Sequence, residues 1–194
     1  MKNNYPNFIF NETYTQQDFS ITKLSVKEYD TCVFVNCDFT ETDMSLVIFL
    51  ECTFIDCNFT KVILKETCFR DDSVFEGCKM IGVYFDQCDT FLLSITFRNC
   101  ILNYASFHGF KIKNTQFMEC KLQDADFTNA DISGVTFDQC DLNNAVFQNT
   151  IASKTDFRSA KNYKIDPTKN ILKKAKFSHD GLIGLVDAFD IIVS

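Results

Sequence analysis

One interval governs the chain. Steps of twenty residues from Tyr14 reach Phe34 and Phe54; a step of twenty-one reaches Phe75 and one of twenty-two reaches Phe97. Plain steps of twenty then give Phe117, Phe137, Phe157 and Phe177. An aromatic stands at every station, and 22 Phe in 194 residues do not produce such a run by chance. A fixed period of this kind marks a repeat architecture and outranks any local assignment.

The twenty divides into four fives. Between the stations lie Phe39, Phe59, Met80, Leu102, Leu122 and Leu142; then Met44, Leu64, Phe85, Phe107, Phe127 and Phe147; then Tyr29, Phe49, Phe69, Leu92, Ile112 and Ile132. Two positions before the large residue sits a small one, as in Cys32, Cys37, Thr42, Val47, Cys52, Ala105, Ala125 and Ala145. Five fits neither the 3.6 period of a helix nor the 2 of a strand. It fits a chain that turns a corner every five residues and closes a lap after four. One lap cannot bury its own large residues, whereas stacked laps can. Successive laps then bond at the ordinary strand spacing of about 4.8 Å.

Stretches such as Ala125-Asp126-Phe127-Thr128-Asn129 and Ala130-Asp131-Ile132-Ser133-Gly134 carry a small residue, Asp, a large apolar residue and two polar or small positions. In this the chain resembles the pentapeptide repeat family, closely over residues 14–160 and loosely over 161–182. The resemblance implies an all-β fold, a right-handed quadrilateral β-helix (a pentapeptide repeat solenoid). Nine stations from Tyr14 to Phe177 make a rod roughly 38 Å long.

Ten Cys raise the possibility of disulfides or a metal site. The repeat offers a plainer reading, since Cys37, Cys57, Cys78, Cys100, Cys120 and Cys140 fall in one column of small core positions. Buried free Cys acts there as a small hydrophobe. No Cys-x-x-Cys pair or His set suggests zinc, so no metal and no cofactor is expected. Cys68 lies outside the column and is expected to be more exposed. No apolar run suggests a signal peptide or a membrane span, and many free thiols fit a reducing cytoplasm.

The expected organisation is a cap or lead-in coil at 1–13, the solenoid at 14–177 and a terminal unit at 178–194. Extra residues near Asp71–Asp72 and within Asp86–Phe91 read as small outward bulges. Beyond Phe157 the pattern thins, with Asn162 and Pro167 at inward positions. Ser178 or Asp180 can cap a short C-terminal α-helix over Gly181–Phe189, and Ile191–Val193 read as a strand. A solenoid end must be covered. The apolar stripe Leu182, Ile183, Leu185, Val186 and Phe189 can serve as that cover alone, or can also pair with its own copy in a homodimer.

No catalytic constellation is present: His108 and His179 lack a partnered nucleophile, and a convex rod offers no cleft. An enzyme is not expected. The net charge of −7 disfavours direct nucleic-acid binding. Residues 161–194 hold six Lys against four Asp, leaving 13 basic and 22 acidic residues in 1–160. An acidic rod of duplex-like width can present a negative face to a DNA-binding groove. The candidate partner-binding residues are Glu41, Asp43, Glu51, Asp56, Asp71, Asp72, Glu76, Asp86 and Asp89.

The Cys-x-Phe-x-x-Cys-x-Phe runs at 32–39 and 52–59, the acidic body and the apolar tail are similar to the quinolone-resistance (Qnr-type) branch of the family. That resemblance implies a cytoplasmic homodimer that binds DNA gyrase or topoisomerase IV as a DNA mimic and relieves fluoroquinolone poisoning. Many members of that branch carry two longer loops, where this chain adds only one and two residues. A structural or scaffold module with another protein partner is the alternative.

Overall fold

The computed structural model describes residues 8–189 and 191. Its strands are short: β1 (Phe8–Phe10), β2 (Thr13–Thr15), β3 (Glu28–Asp30), β4 (Val33–Val35), β5 (Ile48–Leu50), β6 (Thr53–Ile55), β7 (Cys68–Arg70), β8 (Ser73–Glu76), β9 (Ile95–Arg98), β10 (Gln116–Met118) and β11 (Thr136–Asp138). All pair in parallel, in two sheets ordered β1-β3-β5-β7 and β11-β10-β9-β8-β6-β4-β2. The register is the sequence period itself, with Phe34 beside Phe54, Phe54 beside Phe75 and Phe97 beside Phe117. Single bridges such as Asn58 to Lys79 and Ser106 to Asp126 continue the ladder on two further sides. The molecule is a four-sided parallel β-solenoid. We number its sides by the inward column each carries: first Phe34, second Phe39, third Met44 and fourth Tyr29.

The nine stations form one continuous stack. Ring centroids from Tyr14 to Phe177 lie 4.7–5.5 Å apart and neighbouring planes tilt by no more than 18°. Shorter stacks run beside it, Phe19–Phe39–Phe59 on the second side and Phe85–Phe107–Phe127–Phe147 on the third. Neighbouring stacks meet edge to face, as Phe34 meets Phe39 at 67°. Offset stacking along a column and edge contact between columns are the two arrangements that the ring quadrupole favours.

The small positions do more than fill space. Their hydroxyl or thiol donates to the carbonyl of the large residue one lap earlier: Thr67 to Met44 O and Thr150 to Phe127 O at 2.8 Å, Cys57 to Phe34 O and Cys78 to Phe54 O at 3.4 Å. The Cys37 backbone N–H in turn donates to Cys57 Sγ at 3.4 Å. Cys and Thr therefore give buried backbone groups extra partners, which Ala cannot. All ten Cys are free and buried, and burial pushes the Cys52 thiol up to about 12.

The corners depend on backbone geometry that the period did not reveal. The second residue after the large one repeatedly has positive φ, as at Asn36 (52°), Glu41 (55°), Asp56 (52°), Asn129 (59°) and Asn144 (58°). Asn and Asp tolerate this left-handed turn better than most L-residues. At Gly134 (74°) a Cβ would run into the Asn114 side chain.

Three expectations need correction. Leu92 is 63% exposed rather than inward, because it forms a corner (φ 57°) and Leu93 packs on the core instead. The ladder holds its register through Asp89, whose N–H donates to Thr67 O at 3.0 Å, and resumes where the Ser94 N–H donates to Phe69 O at 3.1 Å, so the extra residues project between them. Cys68 is buried, its thiol donating to Asp89 Oδ2 at 3.2 Å. In the thin region Tyr163 and Ile165 are the buried residues, while Asn162 is exposed at another left-handed corner and Pro167 is exposed too. Near the start, the chain also forms an unforeseen helical turn, α1 (Phe19–Thr22), capped by Asp18 on the Ser20 N–H at 3.0 Å.

The tail closes the C-terminal end. A 3-10 turn (Asp180–Leu182), α2 (Ile183–Val186) and a second 3-10 turn (Asp187–Phe189) follow one another. Ser178 Oγ accepts from the Gly181 N–H at 3.1 Å, the cap that the sequence suggested. Gly184 is buried against Tyr163, and its carbonyl accepts from the Ile165 N–H at 2.9 Å. Of the expected strand at 191–193, Ile191 belongs to no strand and the rest lies outside the described residues.

Candidate partner-binding surfaces

The nine candidate acids do not share a face, because the five-residue pitch deals them around the rod. Asp56 and Glu76 sit on the first side in adjacent laps, joined by Asp56 N–H to Glu76 O at 2.8 Å. Glu41 is at the second corner, 3.6 Å from Lys61 Nζ. Asp43 and Asp86 belong to the third side. Glu51, Asp71, Asp72 and Asp89 belong to the fourth. All are exposed except Asp86 and Asp89, which are half-buried.

Along the axis the distribution is far from even. Residues 28–89 hold 13 acidic and 4 basic residues, whereas 90–160 hold 7 and 6. The negative excess of the rod is thus a property of its N-terminal laps, on all four sides. Two members are fixed in the charged form. The Ser45 side chain and N–H hold the Asp43 carboxyl below its usual range, the N–H at 2.9 Å. The Phe91 N–H at 2.9 Å and the Cys68 thiol do the same for Asp89.

The bulge at 88–94 adds a feature that sequence reading missed. Arg70 reaches across it, with Nη2 3.6 Å from Asp89 Oδ2 and its guanidinium 5.3 Å from the Phe91 ring centre. Phe91 is 63% exposed. Tyr84 and Tyr104 are also exposed. An aromatic one residue before an inward position, as Tyr84 is before Phe85, was the available signal.

The apolar tail divides into two functions. Leu185 is half-buried and packs on the core, and Val186 is half-buried beside it. Leu182, Ile183 and Phe189 face outward. Among the described residues no group of three His, Cys, Asp or Glu could hold a metal ion, and no helix is long and apolar enough to cross a membrane. His108, the one His in the body of the rod, lies on the surface 3.5 Å from Asp126 Oδ2.

Asp156 shows how strongly a side position can be tied. Its carboxyl bonds the Arg158 guanidinium through Nε at 3.0 Å and Nη2 at 2.8 Å, with Lys176 Nζ at 3.4 Å. The Arg158 bonds hold it down at about 2. A carboxyl lowered by folding stabilises the fold above its unfolded value near 3.8, and that contribution is lost as pH falls through about 2. Asp156→Asn is expected to cost about 1–2 kcal/mol at pH 7 in urea unfolding, less than the full shift because Arg158 and Lys176 are exposed. The gap between the two proteins should close between pH 4 and pH 2.

A parallel solenoid with five-residue sides, a stacked aromatic interior and left-handed corners defines a class of repeat protein. The family model described as "Pentapeptide repeat region" matches residues 27–107 and 78–157; that is more than half of the sequence, and the chain belongs to this family. No curated protein matches it. Among solved structures it is similar to a trypsin-treated form of QnrB1, a plasmid-mediated fluoroquinolone resistance protein, at 19% identity over 96% of this chain and 97% of that one, with TM-score 0.42. Full-length QnrB1 gives 17%, 95%, 100% and 0.40. HetL from the cyanobacterium Nostoc sp. strain PCC 7120, involved in heterocyst differentiation regulation, gives 17%, 90%, 88% and 0.38.

Proposed function

We propose that the protein is a non-enzymatic DNA mimic, which occupies the DNA-binding groove of DNA gyrase or topoisomerase IV and protects the enzyme from fluoroquinolones. The observation that carries this reading is the charge of the N-terminal laps, 13 acids against 4 bases over residues 28–89. Those acids surround a rod in rows about 4.8 Å apart, so a basic groove meets negative charge from any angle, as it does on a duplex. Such charges mainly steer association, and shape then sets specificity. The reading includes a cytoplasmic homodimer joined tail to tail through Leu182, Ile183 and Phe189, with Leu185 and Val186 supporting them from beneath.

The second reading is a scaffold module with another protein partner. Exposed Phe91, Tyr84 and Tyr104 favour it, because aromatic anchors suit a protein interface better than a groove built for phosphates. A gyrase supercoiling assay with ciprofloxacin separates the two. Rescue that grows with added protein is expected, and Ile183→Asp should both halve the mass by light scattering and weaken the rescue. Absence of rescue at every concentration, together with no gyrase binding, would remove the first reading.

A further inference from the structure

The fourth side carries a charge pattern that neither reading uses. Its N-terminal rows are acidic, with Glu28, Asp30, Glu51, Asp71, Asp72 and Asp89 against Lys27 and Arg70. Its C-terminal rows are basic, with Lys111, Lys113, Lys154, Lys173 and Lys174 against Asp131. The ladder fixes these residues on one side: Lys111 bridges Asp131, which bridges Ile151, which bridges Ile171, and the Lys154 N–H donates to Lys173 O at 2.9 Å. At the other end Arg70 bridges Leu93 of the bulge. The five Lys are exposed, as are Asp71 and Asp72.

We propose that this side pairs with the same side of a second copy running antiparallel. A two-fold axis lying in the interface, across the rod between the Lys111 and Asp131 rows, keeps each corner opposite the same corner and reverses the order of rows. Lys111 then faces Asp131 of the second copy, next to the Lys113–Asp131 ion pair that each chain already makes at 2.9 Å, while Asp89 lies opposite Ile151. Asp71 and Asp72 face Lys173 and Lys174. Every opposition occurs twice, as a self-complementary interface requires. Phe91 and Leu92, each 63% exposed, fall in the row opposite Ile151–Lys154 of the second copy, at the Lys154 end. A parallel arrangement would set like charges against each other along the whole side. The contact is independent of which macromolecule the acidic laps bind. It covers Asp71 and Asp72, so self-pairing and binding through those acids exclude each other.

The test uses the full chain carrying Ile183→Asp, which removes the tail contact at an exposed position. Sedimentation velocity should show a dimer in 50 mM NaCl whose affinity falls at least tenfold by 500 mM, because exposed charges are screened. Lys173→Glu with Lys174→Glu should give a monomer, and so should Asp71→Lys with Asp72→Lys. An equimolar mixture of the two should dimerise again, because in the mixed dimer the reversed rows meet each other with opposite signs and the unreversed rows do the same. Lys is tolerated at these corners, as Lys61, Lys154 and Lys174 already adopt φ of 57°, 63° and 60°. Should the double Asp variant melt early by circular dichroism, Asp71→Lys alone replaces it, because Asp72 also accepts from Ser94. A monomer at 50 mM NaCl, a dimer indifferent to either reversal, or a mixture that stays monomeric would each overturn the pairing.

Discussion

Phe117→Ala is expected to destabilise the protein by about 3–5 kcal/mol, the range for removing a fully enclosed aromatic. Phe117 is fully buried, and its ring lies between Phe97 at 5.0 Å and Phe137 at 5.2 Å, with Phe107 edge-on at 5.8 Å. The loss has two parts. One is the transfer of the ring out of the core. The other is a void that cannot collapse, because the laps above and below are held apart by the backbone ladder at a fixed pitch. The exposed Phe91 supplies the control: Phe91→Ala should cost under about 1 kcal/mol. Thermal and urea unfolding of the three proteins will decide it. A loss for Phe117→Ala no greater than for Phe91→Ala would mean that the stack contributes little.

The second large effect is expected at Gly184. A Cβ there would overlap the carbonyl oxygen and ring of Tyr163, and a backbone atom cannot swing aside as a side-chain tip can. Gly184→Val should therefore lift α2 off the end of the solenoid and cost about 2–4 kcal/mol, the range of an overpacked core with a lost hydrogen bond added. The lifted segment loses the Ile165 to Gly184 bond and uncovers Tyr163 and Ile165. Limited proteolysis should then cut within residues 178–189 at concentrations that leave the parent intact. Equal resistance of the two proteins would show that the tail can shift without leaving the rod.

The solenoid was legible because packing repeats in the sequence with the period of the backbone. Phe34, Phe54, Phe75 and Phe97 could be aligned across one- and two-residue insertions, since a core column tolerates no vacancy. The bulge itself was not legible. Once two residues enter a lap, local turn geometry decides which one returns inward, and Leu93 did so rather than Leu92. The left-handed corners were hidden for a different reason. They constrain backbone rather than side chain, so Glu41, Leu46, Lys61 and Tyr104 all occupy them alongside Asn and Gly. The nine acids could be named, but a list in sequence order does not show that a five-residue pitch sends them to four sides.

The sealed sulfhydryls make the molecule a gauge of its own breathing. Cys37, Cys57, Cys78, Cys100, Cys120 and Cys140 mark successive heights of the rod, each closed to solvent and engaged with a neighbouring lap, Cys120 through its carbonyl on the Asp141 N–H and the others through their thiols. An alkylating reagent can reach any one of them only when the laps around it part. The order in which they become modified therefore records where the column opens first, without any label having to be introduced.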